Sequence, residues 1–130
     1  MNDKQNQDVM VSVESNYIEG QSDPNNQQYV FSYTVTINNN SDEACQLISR
    51  HWLIQDANQK IEEVYGEGVV GKQPVIGPGE GFQYTSGAVI ETDFGTMEGR
   101  YFMIRRQSDI TVEFEIPIPK FILTVPRTIH

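Results

Sequence analysis

The sequence has one cysteine and no long apolar run, and each shortage excludes a class of protein. A single thiol, Cys45, cannot form an internal disulfide, which is typical of a reducing compartment. No apolar stretch approaches the roughly 18 to 20 residues that a membrane-spanning helix needs. Residues 1–8 lack the apolar segment of a secretory signal. We therefore expect a cytoplasmic protein without membrane insertion.

Basic residues are also scarce. Nine lysines and arginines face eighteen aspartates and glutamates, which leaves a formal net charge of −9. A surface this acidic repels phosphate backbones and anionic lipid. Three arginines near the C-terminal part of the chain, Arg100, Arg105 and Arg106, are too few to form a nucleic-acid groove. We expect no nucleic-acid partner.

What the chain does contain is a strong period of two. In residues 29–37 the odd positions are Tyr, Phe, Tyr, Val and Ile, while the even positions are mostly Ser and Thr. Successive side chains of a strand point to opposite faces, so this pattern predicts a half-buried β-strand. Residues 110–116 repeat the alternation with charged residues on the outward face. No segment shows the spacing of an amphipathic helix.

Turn-forming segments separate the predicted strands. Residues 22–26, 38–42 and 77–81 are dense in Asn, Asp, Ser, Gly and Pro. Seven strands are predicted, at residues 9–17, 29–37, 45–55, 60–65, 82–86, 97–106 and 110–116. About seven short strands favour an all-β, immunoglobulin-like or fibronectin type III-like sandwich, with a small barrel as the alternative. The fibronectin type III variant is the better analogue, because it needs no disulfide.

With 130 residues, 38% of them hydrophobic, the chain is long enough for one domain with its own core. We predict a flexible N-terminal tail at residues 1–8 and a single domain at residues 9–130. Pro117 and Pro119 interrupt an apolar C-terminal segment. Because proline cannot donate to a strand ladder, we expect this segment to lie at a sheet edge or to be split.

One glycine-rich segment carries a motif that is associated with phosphate binding. Residues 66–73 match both G-x-G-x-x-G and G-x-x-x-x-G-K, with Gln73 where a Ser or Thr would follow the lysine. Both motifs need a helix that starts immediately afterwards. The next residues, 74–79, contain two prolines and two glycines, so we expect an irregular segment there. The alternative is an inter-strand loop that places the pair Val69 and Val70 inside the end of the sandwich.

Metal-ligating and catalytic patterns are weak. Cys45 and His51 fall on one strand face only if the alternation is unbroken, and no zinc or calcium spacing occurs. The acidic groups at Glu62, Glu63 and Glu67 are typical of solvated faces. We predict no resident metal, no cofactor and no catalytic residues.

Other side chains suggest protein contacts. Arg50 should lie in or beside the core face, in a salt bridge or over an aromatic ring. Tyr65 and Tyr84, if exposed, would form a protein-binding patch, because tyrosine suits interfaces. An exposed strand edge would allow the chain to form a homo-oligomer.

Several segments together resemble the bacterial ApaG family. They are residues 50–54, 63–74, 78–80, 84–87 and 95–101, and the likeness runs from about residue 9 to residue 130. The resemblance implies a fibronectin type III-like sandwich and an association with cobalt resistance and magnesium efflux. It also implies a protein-binding role, because ApaG-like domains occur within eukaryotic F-box and polymerase-interacting proteins. The glycine motif of the family was suspected of binding pyrophosphate, and it corresponds here to Gly66, Gly68 and Gly71.

These observations predict a non-enzymatic binding domain whose protein partner is unknown. Function tends to lie on loops held by rigid strands, so the contact surface should be the glycine-rich loop. Its residues are Gly66, Glu67, Gly68, Val69, Val70, Gly71, Lys72 and Gln73, with Tyr84, Thr85, Ser86 and Gly87 nearby. The alternatives are weak pyrophosphate or nucleotide binding at this loop and sensing of a divalent metal.

Overall fold

A computed structural model of the chain describes residues 8–126, and its regular structure is mainly β. The eight strands are β1 Val9–Tyr17, β2 Tyr29–Asn39, β3 Cys45–Asp56, β4 Ile61–Glu67, β5 Val75–Ile76, β6 Gly81–Ile90, β7 Phe94–Gln107 and β8 Ile110–Thr124. Two 3-10 helices, Glu19–Gln21 and Pro24–Asn26, connect β1 to β2. The seven predicted strands are confirmed. The eighth, β5, has only two residues, too few to show a period.

The strands form two antiparallel sheets that pack as a sandwich, which confirms the predicted architecture. One sheet has the order β1-β2-β6. The other has the order β4-β3-β7-β8, and β5 pairs with the beginning of β3 on the same side as β4. The predicted N-terminal tail lies outside the described residues except for Asp8, and the domain limits stay a prediction.

The core lies between the sheets and is centred on Trp52 of β3. Its ring meets Tyr33, Tyr101 and Phe121 at centroid distances of 5.3, 6.4 and 5.9 Å, in edge-to-face contacts. The odd positions of β2, predicted to face inward, are buried as far as Ile37 except for the partly buried Tyr29. Burying each aliphatic side chain of this kind stabilises the fold by about 1.5–3 kcal/mol.

A β-bulge in β3 reverses the alternation that the sequence suggests. Ile48 is an extra residue, because the register with β7 shifts directly after Leu47. Cys45 therefore points into the core together with Leu47, and Trp52 also lies in the core. His51 lies on the outer face, where it stacks on an exposed tyrosine of β4. The condition for Cys45 and His51 to share a face, an unbroken alternation, is therefore not met.

The C-terminal prolines lie within β8, the edge strand of the larger sheet, as predicted. Pro119 and the following lysine oppose the single residue Glu98 of β7, which makes a second bulge. Beside it, Gly99 lies against the backbone of β3. A Cβ atom at Gly99 would lie 2.1 Å from the carbonyl oxygen of His51 and 3.2 Å from the Cα of Trp52.

Replacing this glycine tests the close approach of β7 to β3. We expect Gly99→Ala to lower the free energy of unfolding by about 3 kcal/mol, because the backbone of β3 must move. Gly20→Ala is the matched control, since a Cβ there meets no atom within 4 Å, and its effect should stay below about 0.5 kcal/mol. Urea unfolding of both variants measures the difference, and equal midpoints would contradict the account.

Candidate functional site

The glycine-rich segment forms a tight loop between β4 and β5, which both pair with β3. Gly66 and Glu67 end β4, and residues 68–74 lead to β5 along the same side of β3. Val69 N–H donates to the carbonyl of Lys72 at 2.8 Å, and Lys72 N–H donates back to Val69 at 2.9 Å. The two residues between them, Val70 and Gly71, have φ of +44° and +78°. Positive φ at both positions is typical of a type I′ turn.

Val70 occupies this turn against its conformational preference. A β-branched residue at positive φ is a backbone outlier that costs of order 1–3 kcal/mol. Its side chain is 53% exposed, whereas Val69 is only 1% exposed and belongs to the core. Burial of Val69 was predicted correctly, and burial of Val70 was wrong because the turn directs it into solvent. The loop tip therefore presents an aliphatic side chain in a strained conformation.

The rest of the loop is anchored to β3. Gly68 has φ of +62°, and a Cβ there would lie 2.2 Å from the carbonyl oxygen of Lys72. Its N–H donates to the carbonyl of the bulge residue Ile48 at 2.7 Å, and Gln73 Nε2 donates to the same oxygen at 3.0 Å. Gln46 Nε2 in turn donates to the carbonyl of Gln73 at 3.1 Å. These bonds hold the loop rigidly against the bulge.

Arg50 supports the loop from β3. Its Nη1 donates to the carbonyls of Glu67 at 3.1 Å and Gly68 at 2.7 Å. A Cβ at Gly66 would lie 2.6 Å from the guanidinium carbon, so this glycine makes room for the arginine. The expected salt bridge or cation–π contact is replaced by bonds to backbone carbonyls.

The loop differs from a phosphate-binding loop in two ways. The segment after Lys72 leads through Pro74 into β5, which confirms that no helix begins there, while the expectation that residues 74–79 are irregular throughout is wrong because Val75 and Ile76 pair with β3. The amides of Gly68, Val69 and Lys72 donate to carbonyls of the chain itself. An anion held by backbone amides needs such groups to be free, so these three amides are not available to a phosphate.

The second predicted segment lies on β6 and alternates between the two faces of the sheet. Thr85 and Gly87 are exposed, and Thr85 Oγ1 lies 2.8 Å from Thr34 Oγ1 of β2. Tyr84 is 7% exposed and its hydroxyl hydrogen-bonds that of Tyr101 across the sandwich. Tyr84 therefore fills the sandwich and is not available for a surface patch.

The charge of Arg50 also acts on two buried tyrosines of the core. Burial raises the pKa of Tyr84, while the Tyr101 hydrogen bond and the nearby Arg50 charge act in the opposite direction. Burial likewise raises the pKa of Tyr33, against a hydrogen bond from Ser86 and the Arg50 charge. Arg50 thus links the loop to the buried hydroxyl groups behind it.

A polar cluster on the outer face was missed by the sequence analysis. Tyr65, which is 67% exposed as expected, stacks on His51 with centroids 4.1 Å apart and planes 4° from parallel. His51 Nε2 lies 3.4 Å from a carboxylate oxygen of Glu63, and Arg100 Nε lies 3.4 Å from His51 Nδ1. The signal is the cross-strand register, which places Tyr65 and Arg100 on either side of His51.

Neither metal binding nor nucleophilic chemistry gains a site from this geometry. In the part of the chain that the structure describes, no three His, Cys, Asp or Glu side chains are grouped so that they would hold a metal ion. Burial raises the pKa of the Cys45 thiol, with Arg105 acting against it, and a thiol nucleophile needs the opposite shift. Between residues 8 and 126, neither short helix has the length and apolar character to cross a bilayer.

Comparison with known proteins gives one consistent family. The ApaG domain family matches residues 19–105. Protein ApaG of Escherichia coli O1:K1 is 55% identical over 122 residues, which cover 94% of this chain and 95% of the relative. Protein ApaG of Bordetella pertussis is 49% identical over 123 residues, covering 95% and 92%.

Solved structures agree with this result. The crystal structure of a Bordetella pertussis protein described as ApaA superimposes with a TM-score of 0.87 at 49% identity, and covers 93% of this chain and 96% of its own. A second X-ray structure has a TM-score of 0.88 at 44% identity, covering 96% and 92%.

The buried tyrosines predict a loss of stability in alkali. Burial is the main cause that raises the pKa of Tyr101, and the electrostatic effect of the neighbouring Tyr84 is the second. Because the folded-state pKa lies above the unfolded value of about 10, this stabilisation is complete below pH 10 and is lost as the pH rises further. Tyr101→Phe removes one such group, so the decline above pH 10 should be shallower by about 1.4 kcal/mol per pH unit. Urea unfolding at a series of alkaline pH values measures the slope; an unchanged slope would contradict the assignment.

Proposed function

The chain belongs to the ApaG family, and on that premise we propose that it is a non-enzymatic, cytoplasmic binding module that acts through contacts with a protein partner. The setting that the family resemblance suggests is cobalt resistance and magnesium efflux. In that setting the module acts on or beside a transporter, as an accessory component. The surface proposed for the contact is the glycine-rich loop at residues 66–73.

The observation that carries this proposal is Val70. Strained backbone conformations persist where the surrounding structure imposes them, and they cluster at functional sites. Here the surroundings are the bonds from Gly68 and Gln73 to Ile48 and from Arg50 to the loop carbonyls. An exposed valine held in this way is preorganised for an apolar contact, which lowers the entropy lost on binding.

Other exposed apolar side chains lie along the same edge. Tyr65 precedes the loop and Val75 follows it, at 67% and 65% exposure. Both belong to strands that pair with the same side of β3. Tyrosine is enriched among the residues that dominate binding energy in protein interfaces, and the two valines add apolar area along the same edge.

Replacing Val70 separates binding from stability. Asn-Gly is the preferred pair for a type I′ turn, so Val70→Asn should raise the free energy of unfolding by about 1 kcal/mol. The same change removes the apolar anchor and should reduce the recovered partner. Urea unfolding measures the first effect, and crosslinking in cells exposed to cobalt, followed by affinity capture and mass spectrometry, measures the second.

Ile110→Asn is the matched control, because Ile110 is an exposed aliphatic residue that begins β8 in a different hairpin. It should leave the captured protein unchanged. Capture that is as efficient with Val70→Asn as with the native chain would refute the loop as the contact surface.

A further inference from the structure

Strand β6 is an unprotected sheet edge. It ends the β1-β2-β6 sheet, so only β2 pairs with it. Residues 81–90 contain no charged residue and no proline, and their register with β2 runs without a bulge over ten pairs. Natural proteins commonly blunt an edge of this length with charge, proline, a bulge or a covering segment.

The other edges all carry such devices. β8 contains Pro117 and Pro119 with a bulge, and β4 contains three glutamates and stops at the glycine-rich loop. β1 lies against β8, where Ser15 Oγ donates to the carbonyl of Ile122 at 2.7 Å. The contrast indicates that the β6 edge is kept open.

The alternation of backbone hydrogen bonds along β2 identifies which N–H and C=O groups of β6 are free. Ile18 N–H donates to the carbonyl of Val30 at 2.8 Å, and Asn39 N–H donates to the carbonyl of Glu80 at 2.9 Å. Alternate residues of an antiparallel strand bond to opposite neighbours, so the even residues of β2 face β1 and its odd residues face β6. In the β2–β6 register the odd residues pair with even residues of β6.

The backbone groups that point away from β2 therefore belong to the odd residues of β6. These are Gln83, Thr85, Gly87 and Val89, which are all exposed residues. Within residues 8–126, none of their four amides donates to a loop carbonyl or a side chain. They form a row of free donors and acceptors along the edge.

We propose that β6 binds an extended segment of a protein partner as an added strand, with basic residues at both ends of that segment. The proposal rests on the protein-binding role proposed above and names the mode and the chemistry of the partner. Main-chain bonds to an open edge supply the affinity in this mode. Glu80 and Glu91 flank β6 immediately, and the chain carries a net charge of −9, so basic ends complement the site.

A second copy of this chain fits the same edge less well. Antiparallel pairing of β6 with itself would bring together two copies that each carry a net charge of −9. A net charge far from zero keeps a protein monomeric, because the copies repel each other. Lys60 Nζ already pairs with Glu91 at 2.5 Å, but Glu80 has no basic partner among the described ion pairs.

The probe is a synthetic peptide of alternating threonine and valine that matches β6 in length and has a lysine at each end. Bound to the native chain, it should slow amide hydrogen exchange at Gln83, Thr85, Gly87 and Val89. The even residues of β6 bond to β2 already, so their exchange should change less. The same peptide with alternate N-methylated amides should lose binding, because it cannot complete the ladder. With glutamate ends it should bind more weakly.

Thr85→Pro removes one outward amide and leaves the backbone bonds to β2 in place, although the hydroxyl contact with Thr34 is lost as it is in Thr85→Val. We expect binding of the lysine-ended peptide to weaken about tenfold, equivalent to about 1.4 kcal/mol. Thr85→Val is the matched control, since it keeps the amide, and its binding should stay unchanged. If Thr85→Pro does not fold, the N-methylated peptide still decides the question.

Equal binding of the methylated and unmethylated peptides would overturn the proposal. So would light scattering that shows a dimer which dissociates on Thr85→Pro substitution, since the occupant would then be a second copy. The two proposals fail separately. Loss of the cellular partner with Val70→Asn but not with Thr85→Pro removes the β6 inference alone, and the reverse result removes the loop surface alone.

Discussion

The bulge at Ile48 is the constraint on which most of the molecule depends. β3 pairs with β4, β5 and β7, so a shift in the alternation of its residues affects its pairing with three strands. The extra residue lets Leu47 and Trp52 both face the core although their positions have opposite parity. It also offers a carbonyl to the amide of Gly68 and to the side chain of Gln73. One inserted residue thus sets the core and anchors the loop.

The glycines around this loop serve close approach more than phosphate recognition. Gly66 gives space to the Arg50 guanidinium, and Gly68 gives space to the carbonyl of Lys72. Arg50 then ties the end of β4 to the interior, beside the buried tyrosines. A motif that resembles a nucleotide-binding fingerprint is explained here by backbone packing, and the exposed valine at its tip supports a contact function.

The strands were predictable because each presents an alternation to one core. Residues 29–37 and 110–116 carry that signal, and both are strands. Tyr84 follows the same rule, because it shares its face of β6 with the buried Ala88 and Ile90. The turn at Val70 escaped prediction because its sequence lacks the Asn-Gly pair that normally marks it. The His51–Tyr65 stack depends on register between strands, which periodicity alone does not contain.

The hydroxyl contact between Tyr84 and Tyr101 joins the two sheets across the core. It is a non-covalent link between the two sheets of a chain whose single cysteine cannot form an internal disulfide. A hydrogen bond of this kind needs no oxidant to form and no reductant to break. The contact that joins the two layers therefore does not depend on the thiol–disulfide balance around the chain.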